Sequence, residues 1–213
     1  MGIYAVGDVH GHLDKLESLV CRLCLTTDDR LIFLGDYIDR GPDSKGVVEF
    51  LLDLRTRFDC VFLMGNHEHM LRDYLAGGIN YPLEAWKRNG GIETLISYRK
   101  VFGPVEMPIP EEHIEFLTQL PYYHLEPGFV FVHGGLAAGV PIERNNYQSF
   151  LWPRSAFYQS RYRWPEGVVV FGRTPFQEPL RQPNKIGIDT GCSDGGPLTA
   201  VRLPGVEFYQ SNG

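Results

Sequence analysis

Four short motifs place carboxylate, imidazole and amide side chains at intervals along the sequence. They are GDVHG at residues 7–11, GDYIDRG at residues 35–41, GNHE at residues 65–68 and HGG at residues 133–135. The side chains in them that could bind a metal are Asp8, His10, Asp36, Asn66 and His133. Carboxylate, imidazole and amide oxygen without thiolate favour Mn, Fe or Zn in a reactive centre over a structural zinc site. The motifs therefore predict a metal centre that hydrolyses a phosphate-containing substrate.

Each motif directly follows a short apolar run that is typical of a β-strand. The first three runs are residues 3–6, 30–34 and 60–64, and helical patterns at residues 12–24 and 47–54 lie between them. The β-α-β-α-β order, with connections long enough for crossovers, indicates parallel strands. Because strand ends in an open α/β sheet converge on one edge, we expect the motif side chains to meet there.

The rest of the sequence is helical first and strand-rich later. Residues 77–110 mix glycine, proline and short helical patterns. We expect them to form a helical cap that influences substrate choice. After a short helix at residues 111–120, apolar runs separated by turn residues predict strands at residues 122–125, 129–132, 168–171, 186–188, 198–203 and 206–209. The expected fold class is α/β, in one domain over residues 1–213.

Composition argues against several classes of protein. The net charge of -6 disfavours a nucleic-acid binder, because phosphate contacts require clustered Lys and Arg. No apolar run approaches the roughly 20 residues that span a bilayer. Residues 2–7 lead directly into the first motif, so no signal peptide is expected. We therefore expect a cytoplasmic monomer with no nucleic-acid or membrane partner.

A two-metal hydrolytic centre needs a carboxylate that bridges cations roughly 3.5–4 Å apart. Asp36, the central carboxylate of the set, is the expected bridge. Asp8 and His10 would bind the first metal. Asn66 and His133 would bind the second metal.

Four further residues are expected to act on the substrate. His67 is the expected general acid for the leaving oxygen, and Asp39 would orient it. Arg40 and Arg154 are expected to contact the non-bridging phosphate oxygens, because a planar guanidinium matches their geometry with paired hydrogen bonds.

The motifs closely resemble those of the phosphoprotein phosphatases, a branch of the calcineurin-like metallophosphoesterases. The resemblance extends from Gly7 to about Leu203 and includes DRG at residues 39–41 and LWPR at residues 151–154, which is similar to the family's WxR segment. It implies a central β-sandwich flanked by helices and two divalent metal ions, often Mn in bacterial members. It also implies that no covalent phosphoenzyme forms.

The compact length resembles bacterial and phage members of the family. This resemblance predicts a serine/threonine protein phosphatase whose substrates are phosphoproteins or phosphopeptides, phosphotyrosine included. The reaction would be direct attack of metal-bound hydroxide on phosphorus. A related branch with similar motifs hydrolyses dinucleoside polyphosphates, so that activity is kept as an alternative.

Arg173 departs from the family pattern. Residues 171–175, FGRTP, match a GHTP-like motif in which the family has a second metal-binding histidine. Arginine stays protonated and does not ligate a cation. Three interpretations remain open at this point: a second metal that is weak or absent, a guanidinium that replaces part of its charge and holds substrate phosphate, or a phosphate-binding protein without turnover.

Overall fold

The computed structural model describes residues 2–152 and 155–212. Its strands are β1 (Ile3–Val6), β2 (Arg30–Phe33), β3 (Asp59–Phe62), β4 (Tyr123–Glu126), β5 (Gly128–Val132), β6 (Gly167–Phe171), β7 (Leu180–Gln182), β8 (Lys185–Gly187), β9 (Thr199–Leu203) and β10 (Glu207–Gln210). Its α-helices are α1 (Leu13–Arg22), α2 (Ser44–Arg57), α3 (Asn66–Leu75), α4 (Leu83–Trp86), α5 (Ile92–Phe102), α6 (Glu111–Thr118), α7 (Tyr147–Leu151) and α8 (Ser155–Gln159).

The first sheet has the strand order β10-β9-β1-β2-β3. β2 is parallel to both β1 and β3, and β9 is antiparallel to β1 and β10. The predicted β-α-β-α-β unit of parallel strands is therefore confirmed, with α1 and α2 as the crossovers. Asp43 begins α2 by accepting a 3.0 Å hydrogen bond from the backbone of Gly46, as an N-cap residue does.

The second sheet has the order β4-β5-β6-β8-β7. β6 is parallel to β5 and β8, whereas β4 and β7 are antiparallel edge strands. The sequence analysis did not predict β7. This strand has only three residues, Leu-Arg-Gln, which give no apolar run, and it forms by pairing with β8.

An apolar layer fills the space between the two sheets. It consists of Ala5, Ile32, Leu34, Leu63, Phe131, Val170, Ile186, Ile188, Val201 and Leu203. Alternate residues such as Leu31 and Phe33 belong to a separate apolar cluster that includes the helix residues Leu16 and Val47. Strands buried on both faces are expected to be apolar throughout. The predicted β-sandwich flanked by helices is confirmed.

Residues 77–110 contain α4, a five-residue π-helical turn at Lys87–Gly91 and α5. Trp86 and Tyr98 of this segment are fully buried in the helix-side core. Ser97 donates a 3.0 Å hydrogen bond to Asp43, the N-cap of α2. The helical cap segment is thus fastened to the start of a crossover helix. In the part of the chain that the structure describes, no helix has both the length and the apolar character to cross a membrane.

Candidate metal centre

The carboxyl ends of strands from both sheets meet at one edge of the sandwich. Asp8 lies two residues after β1, Asp36 three residues after β2, Asn66 at the start of α3, and His133 directly after β5. With His10, these residues are each no more than 3% exposed. The five predicted metal ligands are therefore brought to one buried place.

Two overlapping groups of side chains could each hold a cation. One group is Asp8, Asp36 and His133, and the other is His10, Asp36 and His67. Within each group the ligand atoms lie within 4.8 Å of one another. Asp36 belongs to both groups, which is the position that a bridging carboxylate requires.

His133 shows why a cation fits the first group. Its Nδ1 lies 3.0 Å from the carbonyl oxygen of Leu34, and a carbonyl only accepts, so Nδ1 carries the proton. In the neutral ring, Nε2 then presents a lone pair. It faces Oδ1 of Asn66 at 2.9 Å and Oδ2 of Asp36 at 3.4 Å. Three lone pairs converge, an arrangement that a cation stabilises.

In His10, as in His133, Nδ1 faces a backbone carbonyl and Nε2 faces Asp36. Its Nδ1 is 3.1 Å from the carbonyl oxygen of Ile38, and its Nε2 is 3.4 Å from Oδ2 of Asp36. Burial lowers the pKa of His10 to about 3, against the opposing effect of Asp36. A backbone carbonyl that fixes the outer ring nitrogen is the usual partner of a metal-binding histidine.

The carboxylate of Asp8 also indicates a missing positive charge. Burial raises the pKa of Asp8 well above its ordinary value, and the charges of Asp189 and Asp36 raise it further. Burial also acts to raise the pKa of Asp36. The imidazoles of His133, His67 and His10 outweigh the effect of burial and hold the pKa of Asp36 well below its ordinary value. Buried carboxylates this close together are unfavourable unless a positive charge pairs with them. The donor set therefore fits a divalent cation.

Glu68 holds the backbone of the Asp36 loop. Its Oε2 accepts hydrogen bonds from the backbone N–H groups of Asp36 at 2.9 Å and Gly65 at 3.1 Å, and its Oε1 accepts one from Tyr37 at 2.8 Å. Glu68 was given no role from the sequence. It lies three residues after Gly65, the N-cap of α3, and glycine has no side chain with which to form the capping box that would have indicated it.

Backbone strain is concentrated at this edge of the sandwich. Five of the seven described non-glycine residues with positive φ lie here: His10, Asp36, Asp39, Arg40 and Arg173. Such conformations cost about 1–3 kcal/mol each and persist only where surrounding contacts enforce them. The contacts of Glu68 supply that enforcement for Asp36.

His67, a member of the second ligand group, also forms a buried pair with Asp39. Nδ1 of His67 lies 2.8 Å from Oδ2 of Asp39. The same carboxylate accepts hydrogen bonds from Nε1 of Trp86 at 2.9 Å and from the hydroxyl of Thr94 at 2.7 Å. Trp86 and Thr94 belong to the helical cap segment, so that segment positions Asp39. Neither residue was assigned a role from the sequence, because neither forms part of a motif.

Burial lowers the pKa of His67 to about 4, and the charge of Asp36 opposes the change. Burial raises the pKa of Asp39 well above its ordinary value, although Thr94 and Trp86 oppose this by hydrogen bonding. A phosphate dianion beside the imidazole would favour its protonated form. The pair is therefore arranged to hold a proton when an anionic substrate is present.

Of the two predicted phosphate-binding arginines, Arg40 and Arg154, the structure describes Arg40. Nη1 of Arg40 lies 3.3 Å from Nε2 of His10 and 3.3 Å from the hydroxyl of Ser193, which places its guanidinium at the edge of the site. Arg154 lies outside the described residues.

Arg173 contacts the site through its backbone. Its N–H donates to Oδ2 of Asp8 at 3.0 Å, while its guanidinium carbon lies 5.0 Å from the centre of the Trp152 ring. A Cβ atom on the preceding Gly172 would lie only 2.1 Å from Oδ1 of Asp8, so glycine is required for this approach. Arginine thus occupies the motif position without offering a metal ligand.

The sequence matches the model of calcineurin-like phosphoesterases over residues 1–207. The chain belongs to this family. Family membership accounts for the candidate ligand groups, because calcineurin-like phosphoesterases use divalent metals.

Curated relatives of this phosphoesterase carry a specific name. Proteins from Oceanobacillus iheyensis and a Geobacillus species are 28% and 29% identical to it. The matches cover 98% and 97% of this chain and 91% and 92% of the relatives. Both are named bis(5'-nucleosyl)-tetraphosphatase PrpE, asymmetrical.

The expectation of a serine/threonine protein phosphatase is therefore wrong, and the relatives agree with the alternative of a dinucleoside polyphosphate hydrolase. The motifs hold the residues predicted to bind metal and to act on the phosphate. Both branches need these, so the motifs do not separate one leaving group from another.

Solved structures agree with the family. A protein provisionally named a diadenosine tetraphosphatase is 25% identical, with a TM-score of 0.76 and coverage of 100% of this chain and 93% of that one. A cold-active protein tyrosine phosphatase from a Shewanella species is 16% identical, with a TM-score of 0.66 and coverage of 99% and 80%. The second likeness is one of fold.

Proposed function

We propose that this phosphoesterase hydrolyses dinucleoside polyphosphates in a metal-dependent reaction. The observation that carries the proposal is the pair of buried ligand groups sharing Asp36, in a chain whose relatives over nearly its full length are named asymmetrical tetraphosphatases. Asymmetrical cleavage would convert a dinucleoside tetraphosphate and water into a nucleoside triphosphate and a nucleoside monophosphate.

We propose two divalent cations, with Mn favoured over Fe or Zn. Asp8, His10 and Asp36 would hold one cation, although in the structure Asp8 groups with His133, and His10 groups with His67. Asp36, Asn66 and His133 would hold the other, which is weakened because Arg173 supplies no ligand. When bound, such cations withdraw charge from phosphoryl oxygens and lower the pKa of water.

The side chains around the ligands have separate tasks in this proposal. Nε2 of His67 gives a proton to the leaving phosphate oxygen, and Asp39, through its 2.8 Å contact with Nδ1, orients the ring and stabilises its charge. Arg40 contacts non-bridging oxygens of the phosphate chain at the edge of the site.

The test is hydrolysis of diadenosine tetraphosphate by protein stripped of metal and then titrated with Mn. We expect saturable turnover and equal amounts of ATP and AMP, separated by ion-exchange chromatography. Asp36→Asn, which removes the shared carboxylate charge, is expected to abolish turnover without unfolding the protein. Folded wild-type protein that cleaves no dinucleoside tetraphosphate at any Mn concentration, or that prefers a phosphopeptide, would overturn the proposal.

A further inference from the structure

A small cleft beside the candidate metal centre has aromatic walls. Asn80, Tyr81, Tyr147, Gln148 and Trp152 line a cavity of about 320 Å³, here called the aromatic cleft. The rings of Tyr81 and Trp152 lie 6.1 Å apart and within 16° of parallel. All three rings are half-buried, while the two amide side chains are exposed. The cleft thus combines flat apolar faces with groups that both donate and accept hydrogen bonds.

One wall of the aromatic cleft is joined to the metal centre through Arg173. The guanidinium carbon of Arg173 lies 5.0 Å from the ring centre of Trp152, and the backbone N–H of the same residue donates to Asp8. Burial raises the pKa of Tyr81, and the charge of Arg173 opposes that rise, as it does at Asp8. The positive charge of Arg173 is therefore felt both in the cleft and in the metal centre.

The other wall is joined to the metal centre through α3. His69 lies two residues after His67 on this helix, and its ring is stacked on that of Tyr147, with centres 4.8 Å apart and planes 11° from parallel. Helix α3 therefore carries both His67 and a residue that packs against the aromatic cleft.

The segment of the aromatic cleft that contains Asn80 and Tyr81 is also held in place. Asp73 of α3 accepts hydrogen bonds from the backbone N–H of Tyr81 at 2.7 Å and of Asn80 at 3.0 Å. It also accepts one from the side-chain amide of Asn80 at 3.0 Å. Because the backbone of Tyr81 is fixed in this way, its ring needs less further ordering when a flat ligand stacks on it.

We propose that the aromatic cleft binds one nucleobase of a dinucleoside polyphosphate, and that Arg173 contacts the phosphate chain running from that base to the metal centre. This inference rests on the proposed function. A flat base stacks on an aromatic face whatever its identity, and the amide of Gln148 and the side-chain carbonyl of Asn80 can pair with its edge. The inference also gives a purpose to the arginine at position 173, because a guanidinium binds phosphate whereas the family's histidine binds metal.

The experiment compares Tyr81→Leu and Trp152→Leu with wild type and with Tyr162→Leu. Tyr162 is 38% exposed and lies before the start of β6, at the opposite end of that strand from Arg173, so it serves as the matched control. Calorimetry measures binding of ATP and of inorganic tripolyphosphate in the presence of Mn. Steady-state kinetics with diadenosine tetraphosphate follow on the same samples.

For both cleft variants we expect affinity for ATP to fall roughly tenfold or more, the effect of losing a base–aromatic stack. Affinity for tripolyphosphate should hardly change in Tyr81→Leu, because tripolyphosphate has no base. The KM for diadenosine tetraphosphate should rise by a similar factor with kcat nearly constant. Tyr81→Phe keeps the ring and should bind ATP as wild type does.

The outcomes separate this inference from the proposed function. If wild type cleaves diadenosine tetraphosphate but Tyr81→Leu keeps its KM and ATP affinity, the nucleobase site is excluded and the hydrolase stands. If wild type cleaves none, yet Tyr81→Leu loses ATP affinity alone, the hydrolase falls and the nucleobase site stands. If circular dichroism shows that both leucine variants are unfolded, the wild-type affinities provide the test. Equal affinity of wild type for ATP and for tripolyphosphate would exclude a base-binding cleft.

Discussion

Trp86 donates a 2.9 Å hydrogen bond from its indole nitrogen to Oδ2 of Asp39. The same oxygen faces the imidazole of His67. Trp86 lies 47 residues after Asp39, in the helical cap segment, and is completely buried. The cap segment therefore supports the reacting groups directly, in addition to any influence it has on substrate choice.

Replacing Trp86 by Phe should lower kcat without a large change in KM. The ring remains, but Asp39 loses one hydrogen bond to a charged acceptor, an interaction that contributes about 1.5–3 kcal/mol. If about half of that reaches the transition state, kcat falls roughly threefold to tenfold.

Trp164→Phe is the matched control for Trp86→Phe. Nε1 of Trp164 is buried and has no hydrogen-bond partner within residues 2–152 and 155–212. This control should therefore leave kcat unchanged. Equal losses in the two variants would mean that the Trp86 hydrogen bond has no role in turnover.

His67→Asn should impair some substrates more than others. A general acid contributes about 10²–10⁴-fold when the leaving oxygen is strongly basic. The leaving group of a dinucleoside tetraphosphate is itself a phosphate, which needs less protonation than an alkoxide. The ratio of wild-type to variant kcat should therefore be larger for an alkyl phosphate than for diadenosine tetraphosphate. Equal ratios would remove His67 from the role of general acid.

Arg173→His should increase the affinity for a second Mn ion. The change removes a positive charge and adds an imidazole ligand, whereas Arg173→Gln removes the charge alone. Equilibrium dialysis followed by atomic emission should show bound Mn in the order His variant, Gln variant, wild type. If the histidine variant binds no more Mn than the glutamine variant, position 173 does not face the second metal.

The contribution that Asp73 makes to the stability of the fold, through its contacts with the aromatic cleft, should depend on pH. Burial acts to raise the pKa of Asp73, but hydrogen bonds from Tyr81 and Asn80 outweigh it and lower that pKa below the ordinary 3.8. A depressed pKa means that the carboxylate stabilises the fold fully above the unfolded-state value and loses that contribution as pH falls through the folded-state value.

The comparison of Asp73→Asn with wild type tests this dependence. Urea unfolding between pH 3 and pH 6 should show a loss of about 1 kcal/mol at the upper end, the usual value of a hydrogen bond, and a smaller loss below about pH 4. A difference that grows as pH falls would contradict the assignment.

The parallel unit β1-α1-β2-α2-β3 was predictable because its inner strands, β1 and β2, are buried on both faces and therefore nearly continuously apolar. The helix boundaries shifted by one to three residues, as where α2 spans Ser44–Arg57 although its apolar pattern covers residues 47–54. β7 and the five-residue helices α7 and α8 were not predicted. Segments this short carry too few residues to show a period, and tertiary contacts decide their conformation.

The meeting of Asp8, Asp36 and His133 was predictable because each follows a strand, and the ends of parallel strands converge. Glu68, Trp86 and Thr94 were not assigned roles, since they act by positioning other groups. The sequence pattern around Trp86 does not indicate a contact with a carboxylate 47 residues away. The leaving group was misjudged for a related reason, because the residues that would meet it lie outside the motifs.

The pairing of β9 with β1 also has a consequence for synthesis of the chain. Leu203 pairs with Ile3, and the backbone N–H of Gly7, next to Asp8, donates to the carbonyl of Thr199. The first motif is thus held in place by a strand that the ribosome makes almost 200 residues later. A nascent chain that has not reached this strand therefore lacks the contacts that hold the first motif in the finished site.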